Sequence, residues 1–87
     1  MMEAFTSLVR RQWRDLERLV EPTSLASGAA RPNLIYITDI FCCAVIVFNT
    51  GDGSFVWDIG ADGPYKLVKP ISVAVDFDEM VLVLDVG

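Results

Sequence analysis

Histidine is absent from the sequence, cysteine occurs only as the adjacent pair Cys42 and Cys43, and lysine only at Lys66 and Lys69. Without histidine the chain lacks the one side chain that ordinarily titrates near neutral pH, which removes His-based triads and most zinc sites. Two neighbouring thiols form no framework for a small secreted domain, and pairing them with each other would close a strained ring. The expectation is a pair of free thiols on opposite faces of a strand end, in a reducing compartment. No basic residue stands beside them to lower a thiol pKa for redox sensing. Long hydrophobic runs are missing too. The longest, Ile40 to Phe48, is too short to span a bilayer. Arg10 and Arg11 follow only a short apolar stretch with no long apolar region after them, unlike a secretory signal, and the cytoplasm is the expected location.

Positive charge is scarce after residue 32. Residues 1–32 carry five arginines against four acids, and residues 33–87 carry two lysines against eight acids, so the halves hold +1 and −6 of the formal −5. An acidic region of that size repels phosphate, so no nucleic-acid partner is expected. What the chain does have is apolar residues, 53% of 87. That is incompatible with disorder, and in a single small domain it calls for burial against something, be it a partner, a second copy or more of the same protein.

In residues 3–21, Phe5, Leu8, Val9, Gln12, Trp13, Leu16 and Val20 recur at spacings of three and four, with Arg10, Arg11, Arg14, Asp15, Arg18 and Glu21 largely opposite. This pattern predicts an amphipathic α-helix over 1–21, ended by Pro22. Residues 22–33 read as a small-residue linker whose most flexible point is Gly28. Glu3, Asp15, Glu17 and Glu21 dilute the basic face of the helix, so docking on a sheet or pairing with another copy is expected ahead of a membrane surface.

After Pro32 the period shortens to apolar runs of five or six residues bounded by Gly, Asp, Asn and Pro, the pattern of strands. They are expected at Leu34–Thr38, Ala44–Asn49, Phe55–Ile59, Ile71–Asp76 and Met80–Leu84. Thr50-Gly51-Asp52-Gly53 and Asp78-Glu79 are expected to turn hairpins, and Gly60–Pro70 is a longer connection.

Ile35-Tyr36-Ile37-Thr38-Asp39 is echoed 46 residues later by Val81-Leu82-Val83-Leu84-Asp85, an offset close to the period of a four-stranded propeller blade. With these, Pro70-Ile71-Ser72-Val73-Ala74-Val75-Asp76, Val45-Ile46-Val47-Phe48, Gly51-Asp52-Gly53 and Phe55-Val56-Trp57-Asp58-Ile59-Gly60 make residues 34–87 resemble the NHL repeat family of β-propellers, in the family's order and spacing. The resemblance implies three strands of one blade followed by the first two of the next. The fold class expected is therefore mainly β with an N-terminal α-helix: an antiparallel, propeller-blade-like meander in an incomplete propeller. Two departures stand out. Ile40-Phe41-Cys42-Cys43-Ala44 replaces the family's polar turn and Asn-x-Arg, and Asp78-Glu79 replaces a DG turn. No strand of the family's type precedes Leu34, so the helix is expected to cover the surface that strand would have covered.

No catalytic, cofactor-binding or metal-binding residue is nominated. Asp76 and Asp78 fit a hairpin turn better than a carboxylate pair, Gly51-Asp52-Gly53 lacks the Lys-Ser/Thr of a phosphate loop, and neither it nor Gly60-Ala61-Asp62-Gly63 has the acids of a calcium loop. Possible interaction residues are Trp13 and Arg14 on the helix, Trp57, which shares one face of its strand with Phe55, and Asp39 and Asp85 at equivalent repeat positions, either as rim contacts or as local backbone ligands.

The function expected is that of a non-catalytic NHL-repeat fragment in protein–protein interaction or assembly, through a protein partner or self-association, with no small-molecule substrate and no membrane. The alternatives are a truncated, degenerate fragment with no activity of its own, and one blade of a propeller enzyme or ubiquitin-ligase scaffold. NHL repeats accompany tripartite-motif ubiquitin ligases, RNA-binding regulators and bacterial sensor kinases. This chain carries no RING cysteines, kinase loop or basic groove, so the resemblance transfers none of those roles.

Overall fold

A computed structural model describes residues 14–64 and 66–87. Six strands build two antiparallel sheets. β1 (Pro22–Ala26), β2 (Leu34–Asp39), β3 (Ala44–Asn49) and β4 (Phe55–Ile59) form a meander in the order β1-β2-β3-β4, and β5 (Pro70–Val75) and β6 (Val81–Asp85) form a separate hairpin. The Cα radius of gyration is 12.0 Å. No helix among the described residues is long and apolar enough to cross a membrane.

The expected N-terminal α-helix does not appear among the described residues. Residues 1–13 lie outside the described residues, and from residue 14 onward the only helical element is one 3-10 turn, Leu16–Arg18. Tertiary hydrogen bonds outcompete the helical period here. The N–H groups of Arg14 and Asp15 donate to the carbonyls of Asp52 and Gly53, those of Val20 and Glu21 donate to Asp39 Oδ2, and Leu19 is already extended at φ −83°, ψ 133°. A 3-10 turn eclipses positions i and i+3, so Leu16 and Leu19 still share one face, which is the spacing that imitates a helix in the sequence.

The first part of the expected linker, residues 22–33, is a strand. Pro22–Ala26 is the strand β1, paired antiparallel with β2, so the meander has the opening strand that the sequence reading left out. Gly28 is buried: a Cβ placed on it would collide with the Glu79 carboxylate and Val75 Cγ1. The other five strands lie within a residue or two of their expected bounds.

Each hairpin turn has a local cause. At β3–β4, Gly53 sits at φ 72° and Asn49 is bonded both ways, its N–H to Ser54 O and its O to Gly53 N. At β5–β6, no glycine is present and Glu79 itself adopts φ 61°, held because Asp76 Oδ1 accepts from the N–H groups of Asp78 and Met80. Cys42 and Cys43 lie in the β2–β3 turn rather than at a strand end, with Cys43 at φ 55°. Both are free thiols.

The two central strands of the first sheet, β2 and β3, are buried on both faces, which is why they read as nearly continuous apolar runs. On one face Leu34, Tyr36, Val45 and Val47 pack against Val73, Val75, Val81 and Val83 of the hairpin. On the other, Ile37, Ala44, Ile46 and Phe48 are covered by Leu16, Leu19, Leu25 and Phe55. A seam of hydroxyls crosses between the sheets. Thr23 Oγ1 and Thr38 Oγ1 lie 2.8 Å apart within reach of the carbonyls of Pro70 and Ser24, and Ser24 Oγ accepts from Val73 N at 3.4 Å.

Candidate interaction surface

The two hairpins β1–β2 and β5–β6 are built alike. Each begins at a proline paired with an aspartate, Pro22 with Asp39 and Pro70 with Asp85, and in each the register shifts by one residue immediately afterwards. Beyond the bulge Ser24, Leu25 and Ala26 correspond to Ser72, Val73 and Ala74, and Tyr36, Ile37 and Thr38 correspond to Leu82, Val83 and Leu84.

The aspartates do the same work in both. Asp39 is fully buried: its Oδ2 accepts from Val20 N at 2.7 Å and Glu21 N at 3.0 Å, and its Oδ1 from Phe41 N and Cys42 N at 3.0 Å each. Asp85 Oδ2 accepts from Val68 N at 3.0 Å, and its Oδ1 from Lys69 N at 2.8 Å and Gly87 N at 3.1 Å. The residue after each aspartate donates back, Ile40 N to Glu21 O and Val86 N to Lys69 O, both at 3.1 Å. Of the two roles left open for these carboxylates, the geometry gives them backbone ligation: they clasp the segment that leads into their own hairpin. The N–H donors of Lys69, Val68 and Gly87 hold the Asp85 carboxyl below the usual aspartate range.

The remaining nominated residues are not brought together. Trp13 lies outside the described residues. Arg14 is exposed beside the β3–β4 turn. Trp57 stands edge-on to Tyr36, ring centroids 6.5 Å apart, and is 37% exposed. Alternation places Phe55 and Trp57 on one face, but a register shift between Val47 and Phe48 puts them on opposite faces of the sheet. Phe55, partly buried, packs against the same core cluster as Leu16 and Leu19, with the Arg18 guanidinium 3.8 Å above its ring, and its backbone N–H donates to the Asp15 carboxylate. No group of three or more metal-binding side chains exists among the described residues.

The correspondence of the hairpins marks a surface that the sequence reading missed. In the first sheet the face carrying Ser24, Ala26, Tyr36 and Thr38 is covered by the β5–β6 hairpin. The corresponding face of that hairpin carries Ser72, Ala74, Leu82 and Leu84, and no described residue covers it: Leu82 is 57% and Leu84 55% exposed. These side chains line an open groove of about 320 Å³. Exposed Met80 and Val86 flank β6, which among the described residues pairs with β5 alone, whereas its counterpart β2 has β3 on the other side. A strand with one unpaired edge beside an exposed apolar face is the usual place for another β segment to add. Matching prolines and aspartates 48 and 46 residues apart were the available sequence signal for this surface.

Compared with known protein families and with curated proteins, the chain matches none.

Proposed function

We propose that the chain is a non-catalytic repeat protein of the NHL type, working in the cytoplasm in protein–protein interaction or assembly through the outer face and free edge of the β5–β6 hairpin. The observation that carries the reading is the correspondence of the two hairpins: the face bearing Ser72, Ala74, Leu82 and Leu84 is the counterpart of one that is covered in the first sheet. Repeat units of this kind bury their apolar faces against neighbours and are weakly stable singly. The NHL-like segments of residues 34–87 support the family assignment, and β1, with Pro22-Thr23-Ser24-Leu25-Ala26 echoing Pro70-Ile71-Ser72-Val73-Ala74, adds a further matching segment. The free thiols Cys42 and Cys43 suit the reducing compartment.

The test is size-exclusion chromatography with light scattering on the full chain, far-ultraviolet circular dichroism on the same sample, and hydrogen exchange read at β6. Association of any stoichiometry that slows exchange at residues 81–85 supports the reading. A folded chain that stays monomeric at hundreds of micromolar, with β6 exchanging freely, overturns it.

A further inference from the structure

We infer that the partner of the bare β5–β6 face is a second copy of this chain, docked about a two-fold axis so that the Leu82–Leu84 ridge of each copy fills the Ser72–Ala74 trough of the other. The inference rests on the interaction reading above and adds the occupant and its symmetry.

Two observations carry it, and a third sets its strength. The first is shape. Cross-strand pairs on this face set Ser72 opposite Leu84 and Ala74 opposite Leu82, so all the large side chains stand on β6 and all the small ones on β5. A two-fold axis running parallel to the strands, between two such faces, lays β6 of one copy over β5 of the other. Ridge then meets trough twice, the self-complementarity that an isologous interface demands.

The second is that the opposite end of the molecule is closed. The surface that stacks naturally on this kind of face is the one bearing Val73, Val75, Val81 and Val83, and in the first sheet its counterpart bears Leu25, Ile35 and Ile37. That counterpart is covered by Leu16 and Leu19, anchored through Asp15 to Phe55 N and through Arg18 over the Phe55 ring. Head-to-tail addition, which would build a ring or a filament, would have to displace this cover. Face-to-face pairing displaces none of the described residues.

The third is area. A six-residue strand is about 20 Å long and a strand pair about 10 Å wide, so the face supplies a few hundred Å², less than the roughly 800 Å² per partner of a standard interface. Met80 and Val86 extend it modestly. The dimer is therefore weak and reversible, with Kd about micromolar or weaker.

Sedimentation equilibrium of the full chain across about 1–500 μM tests this, with two variants on the exposed face. Leu82→Lys is expected to hold the chain as a folded monomer. Ala74→Leu separates shape from stickiness, because it makes the face more apolar while filling the trough: ridge-in-trough docking predicts dimerisation weakened about tenfold or more. Mass that stops at two chains, with Ala74→Leu weakening the association, is the expected result. Stronger association in Ala74→Leu, or a series of species beyond the dimer that Leu82→Lys abolishes, overturns the two-fold inference while leaving the interaction reading intact. A monomer throughout, with β6 unprotected, overturns both.

Discussion

The Tyr36 hydroxyl donates a 2.8 Å hydrogen bond to Glu79 Oε2 across the junction of the two sheets, while Glu79 Oε1 accepts from Arg31 N at 3.2 Å. One carboxylate in the β5–β6 turn thereby holds a strand of the first sheet and the loop that precedes it. Burial, and then Glu79 itself, push the Tyr36 phenol above its ordinary value of 10.0. Because the folded pKa is the higher one, the stabilisation is fully present below pH about 10 and is lost as pH rises beyond it. Tyr36→Phe is expected to cost about 1 kcal/mol at neutral pH and to flatten the alkaline loss of stability. Urea titrations of both proteins at pH 8 and pH 11 check this, and an equally steep alkaline loss in Tyr36→Phe would assign it to another group.

The two aspartate clasps are expected to differ in weight. Asp39→Ala strands four backbone N–H groups around a fully buried side chain and should cost about 3 kcal/mol or more, a large part of the stability of a domain this small. Asp85→Ala should cost clearly less, since water reaches the groups it serves. The depressed pKa of Asp85 adds stability that is present above its unfolded value of about 3.8 and lost as pH falls below it. Thermal melts of both variants between pH 3 and pH 7 measure the ranking, and equal losses at pH 7 would contradict it.

Gly28→Ala is expected to destabilise through packing alone. The added methyl meets the Glu79 carboxylate, which can swing aside, and Val75 Cγ1, whose branched side chain cannot easily do so. A cost of about 1–3 kcal/mol follows. Pairing it with Glu79→Ala in a double-mutant cycle should recover part of the loss, and strict additivity would show that Glu79 is not what Gly28 makes room for.

Uncovering the other face should change the kind of assembly, not merely its strength. Leu16→Ser with Leu19→Ser weakens the cover over Ile37, Ile46 and Phe48, giving the chain a second apolar end. Species larger than two chains are then expected in light scattering, growing with concentration, against a parent protein limited to dimers. A double variant that remains folded and no larger than the parent would show that Leu16 and Leu19 are not the barrier.

The five strands after residue 33 were legible because each is an apolar run between turn residues, and β2 and β3 are buried on both faces. β1 was not. Pro22, Thr23 and Ser24 give it a proline start and two hydroxyls, and its place is fixed by β2 beside it and by the hydroxyl seam rather than by hydrophobicity. The helical period in residues 14–21 is genuine in spacing, yet Leu16 and Leu19 meet the core from a single 3-10 turn because Asp39 and the β3–β4 turn take the backbone N–H groups a helix would need. Trp57 and Phe55 were misplaced by a bulge, which no alternation rule anticipates. For the interaction surface, Asp39 and Asp85 stood out in the sequence for their repetition, and repetition marked the clasp. The working residues, Ser72, Ala74, Leu82 and Leu84, look like any other strand residues until the two hairpins are compared.

The clasps also bear on how the chain acquires its shape. Asp39 reaches back 19 residues to Val20, and Asp85 reaches back 17 residues to Val68, so each hairpin is closed by contacts made within its own short loop. Short loops close quickly and at little entropic cost. Each hairpin is thus a candidate nucleus of its own, and the pairing of one with the other, through Tyr36, Glu79 and the valines between them, is expected to follow.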